Sequence, residues 1–280
     1  MQIITKQKIL LASLLYHLVA FIRGLLNLKS CVEVKRDGIN YKLDLKEGID
    51  FAIYLFGVYE RKSFKAYQKI IKKGDTVFDI GANIGGHTMQ LARLTGENGR
   101  LYAFEPTDFS FDKLKDNIEL NPELAKNVTL SQIMLTDSNS EKPDPEIYSS
   151  WPLVGGLNKH PKHCGQLKST SGSSAMTLDE FVIKEKIDRV DFIKMDVDGN
   201  EIRVLRGASN VLEKFKPTFI FEIAPYALAE AGFSIDELLD IFTKMGYSLH
   251  HEGSNTPLPQ DIKSIIPDGA SCNAIAYVEK

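Results

Sequence analysis

The sequence predicts an α/β fold: a mostly parallel sheet of seven strands, helices on both faces, and an antiparallel pair at one edge. Three observations predict it. From residue 76 short apolar runs alternate with stretches of helical spacing, the first of these runs breaks into a Gly-rich turn, and Glu105, Asp196 and Glu222 close later runs at one sheet edge. The 280 residues, 43% of them hydrophobic, can bury one substantial core.

The elements follow in order. Residues 9–22 form an apolar segment behind Lys6 and Lys8. It is short for a membrane span, which needs about 20 residues, and no small-x-small cleavage pattern follows its basic start. Three readings stand for residues 1–28: a helix packing on the domain or on a partner subunit, a helix at a membrane surface, and a signal or anchor. Tyr16 and His17 in its middle argue against a span. Residues 29–58 contain a small β element, because 31–45 alternates polar and apolar positions around the turn Arg36-Asp37-Gly38. The main domain spans 59–280. Helical spacing over 63–73 puts Phe64, Tyr67, Ile70 and Ile71 on one face, and Gly74-Asp75 stops it.

Strands are predicted over 76–80, 100–105, 128–135, 191–195, 218–223, 247–250 and 273–278. Helices over 87–94, 110–120, 178–187, 201–206 and 208–214 supply the crossovers. No helix is predicted between the last two strands, which makes them the antiparallel edge pair. Residues 141–174 show no periodicity, are rich in Pro, Gly, Ser and Lys, and contain Trp151, Gly155-Gly156, His160, His163 and Cys164. A loop this long inside a compact domain is functional or disordered, and its place between core strands suggests a substrate lid.

A net charge of -3 and a pI near 6.1 give no basic field for a phosphate backbone, so nucleic acid is not an expected partner. Cys31, Cys164 and Cys272 are odd in number and scattered, which favours a reducing, cytoplasmic setting, with membrane-peripheral attachment as the variant.

The run Val77-Phe78-Asp79-Ile80-Gly81-Ala82-Asn83-Ile84-Gly85-Gly86 is a nucleotide-cofactor cradle. A dinucleotide turn needs a second glycine where Asn83 stands, and Asp79 would face an anionic pyrophosphate. The same carboxylate suits the ammonium and sulfonium of S-adenosylmethionine. Glu105 can accept both hydroxyls of a ribose, and Asp137 stands where an adenine amino group would be met; a helix cap or strand-end turn is the plain reading of each acid.

The second informative run is Lys194-Met195-Asp196-Val197-Asp198-Gly199-Asn200-Glu201. A charge at Asp196, on the ligand-binding edge of a buried strand, is costly to bury. Asp196 is therefore the candidate base and a cofactor contact, with Glu201 or Glu222 positioning substrate or the methionine end; Glu201 also reads as a helix N-terminal dipole partner. His87 is a second candidate base or a helix-start packing residue. Trp151, His160 and His163 are candidate substrate contacts, and the His-Cys cluster lacks a fourth ligand for zinc. No metal is expected; a divalent cation between Asp196 and Glu222 is the alternative.

Phe78-Asp79-Ile80-Gly81-Ala82-Asn83-Ile84-Gly85, Phe104-Glu105-Pro106, Thr177-Leu178-Asp179 and the run from Lys194 to Glu201 together resemble the signature blocks of the FkbM-type methyltransferases, over residues 59–247. Asp198 departs from that pattern, which has Glu there. The resemblance implies a class I Rossmann-like fold with strand order 3-2-1-4-5-7-6, S-adenosylmethionine as cofactor, and O-methylation of a hydroxyl on a glycan, sugar or secondary metabolite. N-methylation, a catalytically silent cofactor-binding or membrane-associated protein, and an NAD-dependent oxidoreductase are the rival readings.

Overall fold

The computed structural model describes residues 4–138, 142–155, 159–254, 256–259 and 261–279. The apolar N-terminal segment forms α1 (Thr5–Leu25), followed by the hairpin β1 (Cys31–Arg36) and β2 (Ile39–Asp44) and by α2 (Gly48–Phe56). Arg36 pairs with Ile39, so Asp37-Gly38 is a two-residue turn, as its sequence predicts. Ile39, Tyr41 and Leu43 of β2 point inward and are buried. Two backbone N–H groups of β2, at Asn40 and Lys42, donate to Asn121 and Asn117 at 2.9 and 2.8 Å. Nothing in the sequence announced α2. Its Asp50 is 1% exposed and accepts from Asp44 N and from Lys113 Nζ, so a distant lysine secures it.

The chain continues through α3 (Arg61–Ile70), β3 (Thr76–Ile80), α4 (Thr88–Thr95), β4 (Arg100–Phe104), α5 (Asp108–Glu119), α6 (Pro122–Ala125), β5 (Val128–Ser131) and β6 (Ile133–Leu135). Next come β7 (Glu146–Ser150), β8 (Gln166–Ser169), β9 (Ser174–Met176), α7 (Leu178–Lys184), β10 (Phe192–Met195), α8 (Glu201–Arg206) and α9 (Ser209–Phe215). It ends with β11 (Thr218–Ile223), α10 (Pro225–Glu230), α11 (Ile235–Lys244), β12 (Ser248–His251), α12 (Ile262–Ile265) and β13 (Cys272–Tyr277). The main sheet has the order β12-β13-β11-β10-β3-β4-β5. This is the class I order, with β13 antiparallel to both of its neighbours and one place in from the edge.

Alternation along the central strands splits the core into two layers. Phe78, Ile80, Ile193 and Met195 belong to one, while Val77 and Phe192 belong to the other. The strand expected over 128–135 is two strands: β5 stays in the sheet, and β6 leaves it to pair in parallel with β9. The expected lid is not structureless. β7 and β8 form an antiparallel hairpin whose register shifts between Tyr148 and Ser150, and that irregularity breaks the period that sequence patterning relies on. Residue 141 and Gly156 lie outside the described residues. A short helix, α12, stands between the last two strands, and α10 and α11 were likewise not expected. For α11 the cap was visible, since Ser234 Oγ accepts from Glu237 N at 3.1 Å.

Candidate active site

A cavity of about 600 Å³ opens along the carboxyl ends of β3, β4, β10 and β11, within the usual range for a small-molecule site. Its floor is the turn after β3. Gly81 has φ +81°, and a side chain there would overlap the backbone carbonyl oxygen of Asp196, so only glycine lets the ends of β3 and β10 come this close. Gly81 and Ala82 donate their N–H groups to Phe104 O at 3.0 and 2.9 Å, which presses the turn onto β4. Gly85 does not line the cavity, contrary to expectation: at φ +91° it makes room for Leu114, and its neighbours Asn83, Gly86 and His87 line the cavity.

Asp79 is also corrected. The parallel register sets Lys194 directly opposite it on the same sheet face. Its carboxylate is 0% exposed, accepts from Thr88 Oγ1 at 2.6 Å and lies 3.4 Å from Lys194 Nζ, beneath the turn and away from the cavity lining. Lys194 donates to Gly81 O at 2.8 Å and stands 3.9 Å from Asp196, so one buried ammonium ties Asp79, the glycine turn and Asp196 together. No local pattern marks this role, because a lysine inside a strand usually points to solvent.

Glu105 lines the cavity and is buried. Its Oε1 accepts from Thr107 N and Oγ1 at 3.0 and 2.6 Å, and its Oε2 from Asn83 N at 2.9 Å. Burial raises its proton affinity and these donors work against that. Among the described residues Oε2 alone keeps a lone pair free for a ribose hydroxyl, so the expected grip on both hydroxyls reduces to one. Asp137 does not reach the cavity. It turns to Arg206, 3.9 Å away, while Ile133, Met134, Leu135 and Thr136 line the wall in its place.

Asp196, Asp198 and Glu222 converge at the far end, with ligand atoms all within 4.8 Å of one another. Burial pushes the Asp196 carboxyl above its ordinary range, and Lys194 partly restrains it. Burial and then repulsion by Asp196 push Asp198 and Glu222 well above theirs. In the sequence Asp198 reads only as a shortened Glu; with φ +49° before Gly199 it turns back into the cavity. Glu201 does not join this group. It is 2% exposed, and its Oε1 accepts from Val197 N and Gly199 N at 3.2 and 3.4 Å, so it closes the turn that presents the other acids. Burial pushes it up to about 7 against those backbone donors.

His87 lines the cavity between Tyr67 OH, 3.2 Å from Nδ1, and Glu60 Oε2, 3.6 Å from Nε2. Glu60, unnoticed in the sequence, also lines it; burial raises its proton affinity, but His87, Lys194 and Asn273 outweigh that and bring it down to about 2. From β7 and the β7–β8 connection, Tyr148, Trp151 and His163 line the wall, with Tyr226 of α10. Burial first and His160 second bring His163 down to about 4. His160 is not at the cavity: it stacks on His163 with centroids 3.9 Å apart and pairs with Glu230 at 3.1 Å, so it supports His163 from behind.

The model of the methyltransferase FkbM domain matches residues 79–249. The chain belongs to this family. The matched stretch is a methyltransferase domain. Its similarity to the hexuronic acid methyltransferase AglP of Haloferax volcanii is 27% identity over 145 residues, 51% of this chain and 53% of that protein. The chain thus spans about half the length of that curated relative. Among solved structures, it is similar to methyltransferase FkbM from Methylobacillus flagellatus (16% identity, 82% of this chain and 60% of that one, TM-score 0.44). The SAM-dependent O-methyltransferase of Thermotoga maritima gives 14% identity over 92% and 82% of the two chains, TM-score 0.44. The SAM-dependent methyltransferase of Aquifex aeolicus gives 16% over 77% and 88%, TM-score 0.41.

The residues present fit S-adenosylmethionine. The turn at Gly81 admits a close backbone approach, Oε2 of Glu105 is placed for a ribose hydroxyl, Phe104, Ile133 and Leu135 offer an apolar slot for a base, and the far end is acidic, which suits a sulfonium and an ammonium.

Proposed function

We propose that this methyltransferase acts on oxygen, methylating a hydroxyl of a saccharide or a similarly hydroxylated small molecule. The observation that carries this reading is the convergence of Asp196, Asp198 and Glu222 at the cavity end, all with raised proton affinity. S-adenosylmethionine supplies an electrophilic methyl group on a sulfonium; the chain must align an acceptor oxygen with it and exclude water. An aliphatic hydroxyl is a poor nucleophile until its proton is taken, and a base of raised pKa is better matched to that task than an ordinary carboxylate. Asp196 takes the proton, with Lys194 3.9 Å away to steady the charge when it is ionised. Asp198 and Glu222 accept hydrogen bonds from neighbouring hydroxyls and hold the acceptor in line. Trp151, Tyr148 and Tyr226 supply aromatic faces of the kind that pack on sugar rings. The name of the Haloferax relative, a hexuronic acid methyltransferase, supports a sugar acceptor.

The test is Asp196→Asn, which keeps the shape and removes the base. We expect kcat to fall by about 10²–10⁴-fold, with S-adenosylmethionine affinity by calorimetry nearly unchanged. Undiminished turnover would remove Asp196 from the role. The wider reading fails if the wild-type chain binds cofactor yet methylates no hydroxylated acceptor in a labelled cell extract.

A further inference from the structure

We infer that α1 lies in the surface of a lipid bilayer and that the acceptor is the hydroxylated head group of a membrane lipid, a substrate class that rests on the hydroxyl-methylating reading above. The outward face of α1 carries Leu10, Leu14, Leu15, Leu18, Phe21 and Ile22, each 39% to 66% exposed. At 100° per residue they spread over an arc of about 140°. From residue 10 onward no polar side chain interrupts that arc. A paired-helix seam needs only a narrow a/d stripe, so the width suits a continuous apolar medium better than a second copy of the helix. The flanks carry the matching charge: Lys6, Lys8 and Lys29 are exposed, and no acid precedes Glu33. Such cations favour an anionic lipid surface by about fivefold each in partition.

The helix lies along the surface and does not cross it, because its other face is held by the domain. Tyr16 is buried against Phe51 of α2, Ser13 Oγ donates to Leu153 O at 2.8 Å, Arg23 reaches Tyr54 OH at 3.3 Å, and Thr5 N donates to Gly269 O at 3.2 Å. A crossing helix would break all four contacts.

The same helix borders the cavity. Lys8, Ile9 and Ala12 of α1 line it together with Ile49, Ala52 and Phe56 of α2, and Phe56 is 63% exposed. The cavity therefore runs from the acidic cluster to an apolar, partly exposed rim beside the lipid-facing helix. A soluble sugar has no use for such a rim; a head group with its hydrocarbon tail still in the bilayer does.

The experiment uses the full chain and flotation with phosphatidylcholine vesicles, with and without phosphatidylglycerol. We expect flotation with the anionic vesicles, weakened by salt, and a fall of about a hundredfold or more in partition for the variant Leu14→Glu, Leu18→Glu. These side chains face outward, so the unfolding midpoint and the affinity for S-adenosylmethionine should be unchanged; the single variant Phe21→Ser provides a milder second test, with a smaller fall in partition. In membranes incubated with labelled cofactor, methyl label should enter the organic-solvent-extractable fraction and drop with the double variant. A chain that forms a dimer and does not float, with the glutamates giving a monomer, would overturn the docking and assign the face to a second copy. Label confined to water-soluble acceptors, at a rate the glutamates leave alone, would overturn the lipid acceptor while leaving the methyltransferase reading intact. Flotation with no methylation of any hydroxyl would instead fail the hydroxyl-methylating reading and the lipid acceptor with it, leaving only the docking.

Discussion

Replacing Glu222 by Gln should make the protein more stable and less active, and the stability gain should depend on pH in a fixed direction. Two like charges 4.8 Å apart, the outer separation within the Asp196–Asp198–Glu222 cluster, repel by about 3 kcal/mol at an effective dielectric of about 20. Asp196 has a side chain 34% exposed, and proton sharing within the cluster relieves part of the repulsion, so we expect a net gain of about 1 kcal/mol above neutral pH. For a chain of this size that is about 2–4 °C in Tm. The sign follows from proton linkage. Asp198 and Glu222 hold their protons in the folded chain at pH values where the unfolded chain has released them. Wild-type stability contributed by these protons is complete below the ordinary carboxylate range and is lost as pH rises through the elevated folded-state values. Glu222→Gln removes part of that loss, so its advantage should vanish near pH 4 and grow towards pH 8. The assay is thermal unfolding of both proteins across that range, alongside kcat. A variant no more stable than wild type at pH 8, or one whose advantage grows in acid, would refute stored repulsion at this site. A rise in wild-type Tm with added magnesium, abolished by the substitution, would show that a divalent cation, and not a proton, neutralises the cluster.

Three other substitutions separate binding from scaffolding. Gly81→Ala must displace the Asp196 carbonyl from the turn and is strained at φ +81°; it should weaken cofactor affinity by at least about tenfold, roughly 1.4 kcal/mol, and calorimetry showing wild-type affinity would contradict the close approach. Lys194→Met leaves the fully buried Asp79 without its cation and should cost about 3–5 kcal/mol in denaturant unfolding, with Asp79→Asn in the same chain recovering much of it; no recovery would mean the pair is not the cause. Glu201→Ala strips the turn N–H groups of Val197 and Gly199 of their acceptor and should cost about 1–3 kcal/mol of stability while lowering kcat far less than Asp196→Asn. Equal losses of kcat from the two would return Glu201 to the chemistry.

The sheet was legible because burial writes itself into local pattern. A strand covered on both faces must be a continuous apolar run, so β3, β10 and β11 stand out in the sequence, and an acid at the carboxyl end of such a run has few reasons to be there other than a ligand. That logic found Asp196, Glu222 and Glu105. It could not tell which neighbouring acids point the same way. Asp79, Glu201 and Asp137 share the motif blocks and look equivalent in one dimension, yet the register that sets Lys194 opposite Asp79, the turn that Glu201 closes, and the departure of β6 from the sheet each send a carboxylate elsewhere. Glu60 and Asp198 entered the site for the converse reason: left-handed backbone at each turns into the cavity an acid that no periodicity marks. The segment 141–174 shows the same division. Its length and composition left it functional or disordered, and only long-range pairing decided that Trp151 and His163 line the cavity and that His160 stacks behind them.

By itself, then, the sequence determined where the main-sheet strands and most of their crossovers lie, the glycine turn and the acid-rich strand end, because these follow from interactions within a few residues. Tertiary structure decided which charges meet. A carboxylate becomes a cavity acid, a buried ion-pair partner or a turn cap according to strand register and backbone hand, and those are fixed by residues more than a hundred positions away in the chain, as Asp79 and Lys194 are.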